Sequence, residues 1–136
     1  MKDRVFLDSN MLIYLYSEDE PKKRDIINGI LEQFECVISP QTLNEFCNVC
    51  IKKLEKTVLE VMESLNEIKE SCKLEFVDDS IIELALLLRE KYFYSYFDSL
   101  TLASALKYDC ATIYSDDMKH EQIIENSLKI INPFTD

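Results

Sequence analysis

Four stretches of the chain set carboxylates where they are costly or conspicuous. In VFLDSNMLIY, Asp8 stands between two apolar runs; in SPQTLNEF, Glu45 follows a proline by a few residues. In YFDSLTLASAL, Asp98 opens an apolar stretch, and in IYSDDMKHEQ, Asp116 and Asp117 follow another. A carboxylate wedged among apolar residues must be solvated, capped, paired or coordinated, because burying it alone costs far too much. Acids crowded together without a cation repel, and some take up protons with raised, coupled pKa values. An oxygen-only set of ligands selects hard, octahedral ions such as Mg²⁺ or Mn²⁺ over zinc. Such ions polarise a phosphoryl oxygen, activate water and stabilise a leaving oxygen. Phosphodiester hydrolysis is the chemistry these residue types imply, and it needs no serine or cysteine nucleophile.

Whether the acids meet depends on the elements that carry them. Val5–Leu7, Cys36–Ser39, Leu74–Val77 and Thr112–Tyr114 read as buried strands, with a fifth at Leu128–Ile131. They are continuous apolar runs, as expected when both faces of a sheet are covered. Helical patterns fill the gaps: Pro21 to about Phe34, Pro40 to about Leu54, Thr57 to Cys72, Ser80 to Tyr92 and Asp98 to Tyr108. Two of these begin with proline, which suits a first helical turn. Strands alternating with helices predict an α/β fold, a parallel sheet with right-handed crossovers and helices on its faces.

In such a sheet, ligands bind beyond the carboxyl ends of the strands. Asp8 directly follows the first strand, and Asp116 and Asp117 follow the fourth. Glu45 lies in the opening turns of the helix after the second strand. A helix preceding a parallel strand runs antiparallel to it, so Asp98 starts from the same rim. Each acid has a plainer reading: Asp98 as a helix N-cap, Glu45 as an exposed helical residue, Ser9 and Asn10 as caps beside Asp8. Asp78 and Asp79 reach the same edge and read as caps of the helix they precede. The convergence of Asp8, Glu45, Asp98 and Asp116/Asp117 on one rim is what separate caps do not explain.

Composition removes several classes. A single glycine, Gly29, rules out a Gly-rich phosphate loop or a dinucleotide fingerprint. Five cysteines, an odd count, argue against a disulfide framework, and Cys47-x-x-Cys50 lacks the second pair a zinc site needs. That pair falls in a helical pattern, where the spacing places two small apolar side chains on one face. At 136 residues, 47% hydrophobic and 30% charged, the chain is expected to form one domain over residues 1–136. No apolar stretch reaches the length of a membrane span and no export signal is seen, so a cytoplasmic protein is expected. The net charge of −11 is the wrong sign for simple attraction to nucleic acid. A nucleic-acid substrate would have to be bridged by cations or held by a second subunit.

The four motifs, VFLDSNMLIY, SPQTLNEF, YFDSLTLASAL and IYSDDMKHEQ, resemble in order and spacing those of PIN-domain ribonucleases, most closely the VapC-type toxins of toxin–antitoxin pairs. The resemblance spans nearly the whole chain and implies a PIN-like three-layer α/β/α fold with a central parallel sheet of four to five strands. It implies that Asp8, Glu45, Asp98 and Asp117 hold one or two Mg²⁺ (or Mn²⁺) ions and cleave single-stranded or looped RNA. Asn10 and Ser115 match the family's supporting polar positions, and Asp116 fills a variable one. It further implies a homodimer and an antitoxin protein as partner, with no membrane. One departure stands out: relatives often carry glycine after the histidine of the last motif, where this chain has His120-Glu121. An aspartyl-phosphate phosphatase would want an acid two residues after Asp8, where Asn10 stands. A PIN-like module that binds RNA or protein without cutting is the rival reading.

Overall fold

The structure, a computed structural model, describes residues 2–135; Met1 and Asp136, the ends of the expected 1–136 span, lie outside the described residues. In chain order the elements are β1 (Arg4–Leu7), α1 (Ser9–Tyr16), α2 (Pro21–Gln33), β2 (Glu35–Ile38), α3 (Pro40–Lys52) and α4 (Val58–Ser71). They continue with β3 (Lys73–Leu74), α5 (Asp79–Tyr92), α6 (Tyr96–Lys107), β4 (Thr112–Tyr114), β5 (Ile123–Ile124) and β6 (Leu128–Ile131). The strands form one sheet in the order β3-β2-β1-β4-β6-β5, parallel throughout except for β5 against β6.

Side chains alternate across the sheet, as the strand period requires. Val5, Leu7, Cys36 and Ile38 face one side, where they meet Met11, Leu12, Ile27, Phe46 and Ile68 from α1 to α4. Phe6, Val37, Ile113 and Ile130 face the other, against α5 and α6. Both faces are covered, which is why the strands read as unbroken apolar runs. Small residues let α6 sink deepest, burying Ser99 through Ala105 without a break. This is the expected α/β/α layering.

Three details differ from the sequence reading. The third strand was expected at Leu74–Val77 but ends at Leu74. It is an edge strand with one neighbour, and beyond Glu75 the chain leaves it, the Phe76 carbonyl accepting the Tyr108 hydroxyl at 2.5 Å instead. The antiparallel β5 was not anticipated; it is two residues long and joined to β6 through Glu125 and Asn126, both at positive φ (51° and 58°). The helix α1 was read only as an apolar run, and it is eight residues long.

With its only glycine inside α2, the chain closes its turns with other residues in the left-handed region. Phe93, which ends α5 at φ 67°, is 84% exposed. Its ring contributes little to the core while its backbone carries the left-handed cost, roughly 1–2 kcal/mol. Phe93→Gly is therefore expected to raise stability by up to about 1 kcal/mol, after the added flexibility of the unfolded chain is subtracted. A urea titration that finds the midpoint lowered would contradict this.

Candidate metal centre at the carboxyl edge of the sheet

The register of β1 against β4 builds the centre. Leu7 pairs with Tyr114, and the ladder runs one step further, Asp8 N–H donating to the Tyr114 carbonyl at 3.1 Å. Asp8 and Ser115 therefore emerge side by side, and the Ser115 hydroxyl lies 2.9 Å from Asp8 Oδ2 and 3.0 Å from Asp117 Oδ1. One hydroxyl proton satisfies only one ionised carboxylate. As placed, the Ser115 hydroxyl can donate to either; were Asp8 protonated, it would donate to Ser115 and leave the Ser115 proton to Asp117.

The electrostatics favour a proton there. Asp8 is 8% exposed, and burial, with the Asp117 charge second, pushes its carboxyl up to about 7. Hydrogen bonds from Ser115 and from Ser9 N–H (2.8 Å) oppose the rise without cancelling it. Asp8 is thus the N-cap of α1 as well as a buried acid. Asp98 is also raised, by burial first and then by the charges of Asp117 and Glu45, against the Ser95 hydrogen bond.

The other acids are held by polar neighbours. Glu45, on α3, accepts from the Ser9 hydroxyl at 3.2 Å and from the Gln41 amide at 2.8 Å. The Asn10 amide reaches Asp116 Oδ1 at 3.1 Å and Asp117 Oδ2 at 3.4 Å. The Tyr14 hydroxyl donates to Asp116 Oδ2 at 2.5 Å. All seven residues singled out in the sequence (Asp8, Asn10, Glu45, Asp98, Ser115, Asp116 and Asp117) lie on the anticipated rim, but their contacts differ. Asp98 takes no part in the side-chain hydrogen-bond chain and is linked to it through charge alone. Nor is it the cap of its helix: α6 begins at Tyr96, and Ser95 accepts the Asp98 N–H at 3.2 Å. The Asp98 carboxyl in turn shares a hydrogen bond with the Ser95 side chain, the one contact that opposes its rise. Asp78, by contrast, caps α5 as read, accepting the Ile81 N–H at 3.0 Å.

Ser9, Tyr14 and Gln41 were missed as parts of this centre. Gln41 had a signal, since it lies four residues before Glu45 on one helix face. Tyr14 had none, because its partner is a hundred residues away.

Among the described residues, no group of three or more His, Cys, Asp or Glu side chains is placed so that it could hold a metal ion as it stands. The donor set nevertheless suits a hard divalent cation. It consists of carboxylate and hydroxyl oxygens, and its most buried member is penalised for its charge by a neighbour of the same sign. A cation relieves that penalty directly. Ser115→Ala is expected to cost about 1–3 kcal/mol in the metal-free protein, because Asp8 and Asp117 lose the donor between them. Thermal melts near neutral pH test it; an unchanged Tm would show that the bridge carries no weight.

The remaining sequence candidates have structural roles. His120 Nδ1 accepts the Asn132 N–H at 2.9 Å, tying its loop to the segment after β6. Glu121, where relatives often carry glycine, sits at φ 71°, so the backbone keeps the conformation that glycine favours. Cys50 is buried and Cys47 half-buried on α3, and burial raises both thiols. Cys36, Cys72 and Cys110 are pushed up to about 12 for the same reason, far from the reactive thiolate range.

A PIN domain family model matches residues 5–125. No curated protein matches the chain in sequence. Among solved structures, a toxin–antitoxin complex from Klebsiella pneumoniae is similar at TM-score 0.73 and 20% identity, over 96% of this chain and 98% of that one. VapBC2 from Rickettsia felis, bound to a DNA fragment from their promoter, is similar at TM-score 0.71 and 15% identity, over 95% and 99%. VapC20 from Mycobacterium tuberculosis, a toxin that cleaves the sarcin–ricin loop, is similar at TM-score 0.66 and 14% identity, over 83% and 89%. At these identities the likeness is one of fold.

Proposed function

Since the chain belongs to the PIN domain family, we propose that it is a metal-dependent endoribonuclease, the toxin of a toxin–antitoxin pair. The observation that supports the reading is the buried Asp8, bridged to Asp117 through Ser115 beyond the carboxyl ends of β1 and β4, its carboxyl raised further by the charges of Asp117 and Asp98. Asp8, Glu45, Asp98 and Asp117 would hold Mg²⁺ or Mn²⁺, which supplies polarisation of the phosphodiester and charge for the departing oxygen.

The chain's own residues do the rest. Asp8 and Asp117 are fixed relative to one another by Ser115, whose hydroxyl bridges them. Asn10 holds Asp117 from the other side and keeps Asp116 turned toward Tyr14. Ser9 and Gln41 fix both oxygens of Glu45. Carboxylates held by neighbours in this way lose less freedom when they bind a cation or a strand, and such supporting groups are worth about 10- to 100-fold in affinity or activity. A proton rests most readily on Asp8, whose carboxyl lies near 7 before a cation binds.

Partners follow from the relatives. One of the similar structures is, by its description, a toxin–antitoxin complex, and an antitoxin is the protein partner we assign. A homodimer belongs to the same proposal; Val58, Leu59 and Met62 leave an exposed apolar strip on α4. So do the single domain over residues 1–136 and a cytoplasmic location. Among the described residues no helix is long and apolar enough to cross a membrane.

The net charge of −11 favours a second reading, a PIN-like module that binds RNA or protein without cutting. Incubating EDTA-stripped protein with a mixed RNA pool, with and without Mg²⁺ or Mn²⁺, separates the two. Metal-dependent cleavage is expected. A folded protein that binds metal and leaves all RNA intact would favour the binding module. One that neither binds metal nor cuts would overturn the metal centre itself.

A further inference from the structure

Of the acids gathered at the centre, Asp116 alone has no place in the cation's ligand set. Its carboxylate is docked on α1 by Asn10 and Tyr14, which lie four residues apart and so share one face of that helix. The Asn10 amide reaches Oδ1 at 3.1 Å and the Tyr14 hydroxyl reaches Oδ2 at 2.5 Å. The same Asn10 nitrogen stands 3.4 Å from Asp117 Oδ2. A side-chain amide carries two N–H groups, and here both have a carboxylate oxygen to meet. Turning the amide round would set its oxygen against two carboxylates, so its orientation is fixed by its partners. With one N–H engaged by Asp116, the other is left aimed at Asp117.

Tyr14 is itself held from behind. The Phe134 ring meets it edge-on at 5.1 Å and 87°. Lys23 Nζ lies 4.5 Å from the centre of the Tyr14 ring and 5.1 Å from that of Phe134. An edge-on aromatic pair and a cation over a ring are both attractive arrangements. Phe134 is placed by its N–H, which donates to Asn132 Oδ1 at 3.0 Å, and Asn132 by its own, which donates to His120 Nδ1 at 2.9 Å. The loop from Ser115 to His120 is thus tied to Tyr14 at both ends. Asp116 makes one tie directly, and His120 makes the other through the segment after β6.

Resting on the metal-centre reading, we propose that Tyr14 is a positioning residue of that centre, acting on Asp117 through Asp116 and Asn10. Asp116 is the link between them, and its hydrogen bonds matter more than its charge. That separates it from a metal ligand, which needs the charge. Asparagine at this position can serve as the link, its oxygen accepting from Asn10 and its N–H donating to the Tyr14 hydroxyl. Alanine can do neither.

Mn²⁺ alone is the probe, its free form followed by electron paramagnetic resonance as the full chain is titrated. Circular dichroism shows that each variant is folded, and Asp8→Asn gives the background of weak binding to other acids. Tyr14→Phe keeps the ring with its contacts to Phe134 and Lys23 and loses only the hydroxyl. It and Asp116→Ala should each weaken Mn²⁺ binding by about 10- to 100-fold. Together they should do no worse than the more damaging one alone, since both cut the same path. Asp116→Asn should stay within about fivefold of wild type, the effect of one nearby charge lost. Tyr14→Phe that binds within about twofold of wild type overturns the proposal and leaves the metal centre standing. So do additive losses in the double variant, and so does an Asp116→Asn as weak as Asp116→Ala, which would make Asp116 a ligand itself. A wild type that binds no Mn²⁺ above background overturns the proposal and the metal centre together. The expected pattern of Mn²⁺ binding in a protein that cuts no RNA supports the proposal and overturns the ribonuclease reading.

Discussion

Asp8→Asn is expected to abolish cleavage and, without metal, to make the protein more stable. The loss follows from the site: removing one charge from the oxygen set weakens both the hold on the cation and the charge it can deliver, roughly 10²- to 10³-fold or more in rate. The gain follows from burial. Asp8 has its carboxyl near 7 in the folded chain against 3.8 as reference. Below the lower value both states are neutral at this position and the burial of Asp8 carries no charge penalty. As pH rises from there toward 7, the unfolded chain ionises first and the folded state loses relative stability. Above 7 the penalty is complete, on the order of a few kcal/mol. Asparagine avoids it, keeps an oxygen for the Ser9 N–H, and places an N–H against Ser115. At pH 8 in EDTA the variant should therefore melt several degrees above wild type, and the gap should close by pH 4. Saturating Mg²⁺ should reverse the order, since only wild type binds it well and ligand binding adds stability. A variant that melts lower than wild type at pH 8 in EDTA, or that still cuts within tenfold, would show that Asp8 is an ordinary helix cap.

That opposition explains why the centre was legible in the sequence. An acid in an apolar setting violates the rule that local choices agree with the fold, and such violations concentrate at functional sites. Asp8 directly follows one apolar strand, and Asp116 and Asp117 come close behind another, so knowing that the strands are parallel was enough to place them on one rim, while Ser115 entered only through the resemblance. Glu45 followed from a proline-started helix, and Asp98 from the direction a helix must take before a parallel strand. What the sequence could not reveal lies in contacts between distant positions or in elements too short to show a period. Tyr14 and Asp116 are 102 residues apart and meet only because β1 and β4 are neighbours. The helix α1, eight residues long, holds barely two turns of pattern. The strand β5 has two residues and is defined by its partner. Asp98 looked like a cap because an acid before SLTLASAL is a common helix start, yet Ser95, three residues earlier, took that role.

Phe46→Ala is expected to produce the opposite signature, with stability lost and chemistry kept. Phe46 is fully buried on α3, one residue past Glu45, with its ring edge-on to Tyr16 at 5.4 Å and 61°. It stands in the core shared by α1 to α4 and the strand residues Val5, Leu7 and Ile38. Truncating a buried phenylalanine costs about 3–5 kcal/mol, because the lost contacts and the cavity add. Domains of this size have about 5–15 kcal/mol in all, so the urea midpoint should fall by about a fifth or more. The acids themselves keep their partners: Ser9 still donates to Glu45, and Ser115 still lies between Asp8 and Asp117. Per folded molecule, metal-dependent cleavage should therefore survive at low temperature, and fail on warming with the melt. Asp8 acts through hydrogen bonds to Ser9 and Ser115 and Phe46 through apolar packing, so the double variant's activity should be that of Asp8→Asn and its stability should reflect both changes. A Phe46→Ala protein that loses less than about 1 kcal/mol would mean the helical layer closes over the gap, contradicting the tight packing of this core. One that stays folded yet cuts no RNA would mean Glu45 depends on the ring beneath it, and α3 would then position the site through its core face as well as its rim.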